Sequence, residues 1–303
     1  MKRNIIQLAG KTSVISLPSA WVKKYNLKKS DELDIEERGN ELLIKTENKN
    51  KIKEITVNIQ SFNERTLRYT ISALHKIGYD EIRLIGIKPA FKSVINDLVA
   101  NLLLGFVISE NTEKRIVLRN IASEDRNEFN SSLRRAFLVT LDLADTSLEL
   151  IKNNQYEKLN ELITLEKNNN QLTSFCLRLI NKGINIENNH FIYVIIWNLE
   201  KVADEYKYII QYVEKNKVKI SRETIEFYKD TNQYLKDYYD LYYTFKPELM
   251  NELNEKRSKL LHKTKINNEE MHIMNNLISI ISKLTGMSSS IVAINHEKIT
   301  NNL

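Results

Sequence analysis

Apolar and polar positions change rhythm three times along the chain. Over residues 1–46 they come in short bursts. Ile5-Ile6-Gln7-Leu8 and Val14-Ile15-Ser16-Leu17 flank a polar Gly10-Lys11-Thr12-Ser13 turn. Pro18 stands where a first helical residue tolerates it and opens a short helix over 19–25. Strands over 32–37 and 41–45 follow, joined by Arg38-Gly39-Asn40, a hairpin signal. Four short strands bury little surface, so one copy of this piece is marginal by itself and dimerisation is the natural remedy. A polar Glu-Asn-Lys-Asn linker fills 47–50. Residues 51–121 then alternate strand and helix patterns: strand 54–59, helix 64–77, strand 81–87, helix 89–104, and strands 106–109 and 115–118.

From Ser123 the period lengthens to that of helices. Ser123-Glu124-Asp125-Arg126 is a helix start, and Leu133, Phe137, Leu141, Ala144, Leu148 and Ile151 form a core-facing stripe. Asn153-Asn154 breaks it, and a second helix ends near Gly183. A third carries Ile195, Leu199, Val202, Tyr206, Ile209 and Val213. A tyrosine-rich fourth spans 221–245, Pro247 opens a fifth, and a sixth runs from Ile273 to Ile294. The pattern predicts three domains: a small β domain at 1–46, a ferredoxin-like or ACT-like α/β domain at 51–121, and an all-α domain at 123–300. In the last, six helices with short connections would form two three-helix units side by side. Such α/β modules often pair and sometimes hold small effectors; with no phosphate-cradling loop and no acid–base pair, the plainer reading here is a spacer or dimerisation module.

Composition removes several classes. With 42% hydrophobic and 28% charged residues the chain is globular, and 7 Gly with 3 Pro fit a helix-rich fold. The single Cys176 excludes an intrachain disulfide and a cysteine-cluster metal site. No apolar run reaches the roughly 18 residues of a membrane span, and Gln7, Lys11, Thr12 and Ser13 interrupt any leader-like core behind Lys2 and Arg3. A cytoplasmic location is the expectation. The charge is unevenly placed. Residues 1–30 hold seven bases and no acid, whereas the remaining 38 bases and 39 acids nearly cancel. A basic patch on a near-neutral body is the footprint of a nucleic-acid reader, or else a solvated basic terminus.

The first 46 residues resemble the swapped-hairpin DNA-binding domains of the AbrB/MazE/SpoVT type. The matching stretches are Arg3-Asn4-Ile5-Ile6-Gln7, Gly10 to Pro18, Trp21-Val22-Lys23-Lys24, and Leu27 to Leu33. Ser30 replaces the glycine usual at the last turn. The resemblance implies two copies interleaving their hairpins into one barrel, a homodimer, bound to double-stranded DNA. Arg3, Lys11, Lys23 and Lys24, with Lys2 beside them, would meet phosphate or groove edges, while Thr12 and Ser13 would donate to the DNA backbone. Some members of this fold bind protein partners instead.

Asn198-Leu199-Glu200-Lys201-Val202-Ala203-Asp204-Glu205-Tyr206 is similar to the signature of PhoU domains. With the small β domain in front, the order resembles archaeal PhoU-family regulators of phosphate uptake. The resemblance implies a transcriptional regulator of phosphate homeostasis that needs no cofactor. It also allows an adaptor docking on a phosphate transporter or signalling kinase, or a protein that binds a divalent or iron-type metal. Glu200 and Asp204, four apart, share one helix face and could share a cation. The other reading is two solvated acids offset by Lys201 and Lys207. Tyr208 offers no third carboxylate, and Ser282-Lys283-Leu284-Thr285-Gly286-Met287 repeats neither acid. No enzyme is expected: the phosphate-loop, dinucleotide, zinc-protease and nucleophile-elbow motifs are missing from the sequence. His75, His190, His262, His272 and His296 lack ligand spacing, His75 reads as a structural or surface residue, and Cys176 as a buried thiol. The cluster of tyrosines at 228–243 reads as packing rather than a base-stacking platform.

Overall fold

Helix boundaries are written locally in side chains that satisfy the first free backbone N–H groups. Asn63 accepts from Thr66 N at 2.8 Å, Asp125 from Asn127 N and Glu128 N at 2.8 and 2.9 Å, and Ser221 from Thr224 N. The computed structural model describes residues 2–8, 10–46, 52–262 and 270–300. The predicted linker at 47–50 lies outside the described residues. The chain divides into two compact units, Met1–Ile52 and Lys53–Leu303.

The first unit holds two separate hairpins and one short helix. Strands β1 (Ile6–Leu8) and β2 (Thr12–Val14) pair antiparallel, Ile6 opposite Val14 and Leu8 opposite Thr12. The turn is tighter than the sequence suggested, so β2 begins at Thr12 instead of Val14. Gly10 takes a left-handed φ of +68°, which glycine adopts without strain, and Lys11 N donates to Leu8 O. Helix α1 spans Ser19–Lys24. Strands β3 (Leu33–Arg38) and β4 (Glu41–Thr46) form the second hairpin, with Ile35 opposite Ile44.

The second unit begins with a four-stranded sheet. Its elements are β5 (Glu54–Asn58), α2 (Glu64–Ile77), β6 (Glu81–Ile85), α3 (Phe91–Asn101), β7 (Phe106–Asn111) and β8 (Arg115–Asn120), and the strand order is β5-β6-β8-β7. Both helices were expected, and the α/β character stands. The ferredoxin-like or ACT-like arrangement is corrected. That fold runs β-α-β-β-α-β, whereas here β-α-β-α-β-β places β5 and β6 parallel across α2 and inserts β8 antiparallel between β6 and β7. Hydrophobic periodicity reports element type, not which strands pair, and the β7–β8 hairpin decides the order by folding β8 back into the sheet. Ile55, Ile82, Leu84, Ile116 and Leu118 share a core with Leu67, Ile71, Val94, Ile95 and Leu98 of the two helices.

Six long helices follow: α4 (Arg126–Lys152), α5 (Ile163–Asn181), α6 (Asn189–Asn216), α7 (Arg222–Tyr243), α8 (Pro247–His262) and α9 (Met271–Thr285). A 3-10 segment, Tyr156–Leu162, leads into α5. The predicted sixth helix is broken, continuing as α10 (Ser288–Ile294) and then α11 (His296–Thr300). At the break Met287 N reaches only three residues back, to Leu284 O, and the chain tightens after Gly286. Helices α4, α5 and α6 touch one another, α4 touches α7, α6 touches α9, and α7 touches both α8 and α9. One continuous core runs through all six. Tyr206, Tyr228, Tyr234 and Tyr238 lie in it with their hydroxyls bonded to Asn232, Ser147, Thr285 and Ser288. The tyrosines therefore pack, as their spacing suggested.

Helix α5 also packs against α2 and α3, which ties the sheet layer to the bundle across the predicted 121–123 boundary. The joint is Arg178, wholly buried. Its guanidinium donates to His75 O at 3.1 Å and Tyr79 O at 2.6 Å, to Asp80 at 2.8 Å and to Glu124 at 2.6 Å, with its central carbon 5.0 Å from the centre of the Phe106 ring. Lys182 bridges the same two carboxylates. Burial alone would raise the Asp80 carboxyl; the bonds from Lys182 and Lys53 N, with the Arg178 charge, hold it below its ordinary value.

Candidate nucleic-acid interface and the acidic seam on helix α6

In the first unit no described side chain is buried. Ile35 and Leu42 are each 65% exposed, Ile5 73%, and Ile6, Leu8 and Ile15 about half. The register explains what these have in common. Leu33, Ile35, Leu42 and Ile44 fall on one face of the second hairpin, because residues alternate faces and Ile35 opposes Ile44 while Leu42 opposes Glu37. No described residue of its own unit buries this apolar face. A lone hairpin of this kind is marginal in water.

Each of the predicted contact residues lies on this unit and is exposed: Lys2, Arg3, Lys11, Thr12, Ser13, Lys23 and Lys24. Lys11, Thr12 and Ser13 are brought together by the first hairpin, with Ser13 opposite Gln7. Lys23 and Lys24 occupy the last turn of α1, where the helix dipole favours cations. Lys24 lies 5.3 Å from the Tyr25 ring, which itself stands 5.5 Å from Trp21. Among the described residues Arg3, Lys11 and Lys23 have no acidic partner. Ser30 has a φ of +76°, the left-handed conformation that glycine supplies without cost, so serine is mildly strained at this turn.

The second predicted site lies on α6. Glu200 and Asp204 project from one face, half-buried, as their spacing implied. Two ammonium groups stand against them. Lys201 Nζ is 3.3 Å from Glu200 Oε1 and 3.0 Å from Asp204 Oδ2, and Lys207 Nζ is 2.6 Å from Asp204 Oδ1. Lys207 also reaches Glu166 on α5 at 2.6 Å, an acid that sequence spacing did not bring into the site. Asn170 donates to the same Glu166 oxygen at 2.8 Å. Burial would raise the Asp204 carboxyl, but bonds from Lys207 and Lys201 overcome it and hold the group below its ordinary value. Among the described residues no group of three or more His, Cys, Asp or Glu side chains is placed to hold a metal ion.

Two further side chains resolve as structural. His75 is buried, its Nε2 3.2 Å from Leu104 O and its ring edge-on to Phe106, and burial with the nearby Arg178 charge lowers its pKa to about 3. Cys176 is buried and burial pushes its thiol up, so it stays protonated. Arg178 escaped the sequence reading. Its signal was a lone cation inside the apolar run Phe175-Cys176-Leu177-Arg178-Leu179-Ile180, a place where an arginine must find buried partners.

Residues 6–52 match the family described as antidote-toxin recognition MazE, bacterial antitoxin. No curated protein and no solved structure matches the chain.

Proposed function

We propose that residues 1–46 bind duplex DNA as a homodimer and that the chain is a transcription regulator. The observation that carries this reading is the acid-free run of seven bases displayed on an uncovered β unit whose residues 6–52 match a MazE-type domain. Two copies close the apolar hairpin faces on each other and present two sets of Lys11, Lys23, Lys24 and Arg3. A two-fold dimer reads a palindromic site. Binding is measured with the full-length protein on duplex DNA, with competitor, across a salt series. Affinity falls steeply with salt and discriminates among sequences, because each neutralised phosphate releases counterions. Wild-type affinity retained in Lys11→Ala/Lys23→Ala would overturn the assignment of contacts.

A finer reading makes the helical body the responder to phosphate status. It rests on the likeness of Asn198–Tyr206 to the PhoU signature and on the six-helix body around it. Its test is operator binding with and without inorganic phosphate, and reporter expression in phosphate-starved cells. The adaptor reading has one observation in its favour: Tyr193, Val194 and Trp197 are apolar, adjacent on α6 and exposed. Pull-downs that recover transporter or kinase components, lose them with Trp197→Glu, and occur while the purified protein ignores DNA would put that reading first.

A further inference from the structure

The acids on α6 belong to a longer chain of charges. It runs from Asn170 to Glu166, Lys207, Asp204, Lys201 and Glu200, each joined to the next at 2.6–3.3 Å. From Glu166 to Glu200 it alternates in sign, and it crosses from α5 to α6. At its two ends an acceptor oxygen, Asn170 Oδ1 and Glu200 Oε2, is buried without a partner. Both oxygens of Asp204 are already taken by ammonium groups. A divalent ion shared by Glu200 and Asp204 could take the unpartnered Glu200 Oε2, but it also needs an Asp204 oxygen at about 2.0–2.6 Å and several more oxygen donors. It would have to displace two cations that are themselves half-buried.

We infer that Lys201 and Lys207 supply the positive charge that a metal would otherwise supply at this seam, so that Glu200 and Asp204 form a cross-helix ion-pair lock and not a metal site. Removing Lys207 leaves Glu166 without its ammonium partner and Asp204 with Lys201 alone. The lock holds α6 to α5 through Glu166, which is buried, so the lysine that matters most is Lys207. Carboxylates crowded together away from water raise each other's pKa, and paired ones are held down.

The experiment uses the full-length protein freed of metal and titrated with Mn2+, followed by electron paramagnetic resonance. The free Mn2+ signal keeps its protein-free amplitude, and the melting temperature is the same in Mn2+ and in chelator. The carboxyl carbon of Asp204, followed by 13C NMR against pH, titrates below its ordinary range in the wild type and moves up in Lys207→Met. Stoichiometric loss of the Mn2+ signal that disappears in Glu200→Gln/Asp204→Asn would overturn the inference. So would an Asp204 titration unmoved by Lys207→Met. Should Lys207→Met fail to fold, the Mn2+ titration of the wild type decides alone.

Discussion

Replacing Arg178 with Met is the sharpest test of how the sheet layer is fastened to the bundle. Methionine matches the apolar stem of arginine in length but removes every donor. Four groups lose a partner. Asp80 retains Lys182 and Lys53 N, and Glu124 retains Lys182 and Asn120, so neither carboxylate is left bare. The carbonyls of His75 and Tyr79, at the end of α2, lose a charged donor; His75 O keeps the N–H of Gly78, whereas Tyr79 O has no other donor among the described residues. Leaving the Tyr79 carbonyl unsatisfied costs about 1–3 kcal/mol. Together with the weakened ion pairs the loss comes to about 3–5 kcal/mol, the range for breaking a buried charge cluster from one side. Urea unfolding followed by circular dichroism at helix wavelengths reads it directly. With a slope of about 3 kcal/mol per molar urea for a unit of this size, the midpoint falls by about 1–1.7 M. Arg178→Lys keeps the charge but cannot span carbonyls and carboxylates at once, and lies between wild type and Met. A Met variant with a midpoint within about 0.2 M of wild type would refute the view that Arg178 is the joint, given the same slope.

Three more outcomes are expected. Lys11→Ala/Lys23→Ala flattens the dependence of log K on log salt by about 0.9 for each DNA phosphate no longer neutralised, as read in a binding titration across salt. Leu42→Asp removes an apolar side chain worth about 1.5–3 kcal/mol from each of two copies, and the dissociation constant of the dimer rises at least about 100-fold in sedimentation velocity. His75, neutral in the folded protein down to about pH 3, ionises near 6.5 once unfolded. The unfolded state therefore binds the extra proton as pH falls below 6.5, and stability drops by about 1.4 kcal/mol per pH unit through that window. Urea midpoints at pH 6 and pH 5 show this decline in the wild type, and His75→Phe shows less of it by about that amount.

Local signals made much of this fold legible. Ser123-Glu124-Asp125-Arg126 announced the start of α4, and the 4,3 spacing of apolar residues marked α4, α6 and α9, although in the last it ran on past the break after Thr285. What the sequence did not carry was pairing. Nothing in the run 106–120 says that β8 enters the sheet between β6 and β7, because that choice is made by contacts distant along the chain. The same reason hid the Arg178 joint, whose partners lie 54 to 103 residues away, and the part of Glu166 in the α6 seam. The candidate DNA contacts were readable because they depend on local composition: seven bases with no acid in thirty residues. The chemistry of Glu200 and Asp204 was readable in kind, but only the positions of Lys201 and Lys207 in space decide what those acids are bonded to.

No described side chain of the first unit is buried in a single copy, and for the proposed dimer this sets a threshold on abundance. On the proposed function, the paired hairpins and the DNA-binding face they carry form when two chains meet, so their population would grow with the square of protein concentration at low abundance. A modest change in synthesis or turnover then becomes a larger change in operator occupancy, without any ligand. The helical body has its own core and stays folded on either side of that threshold.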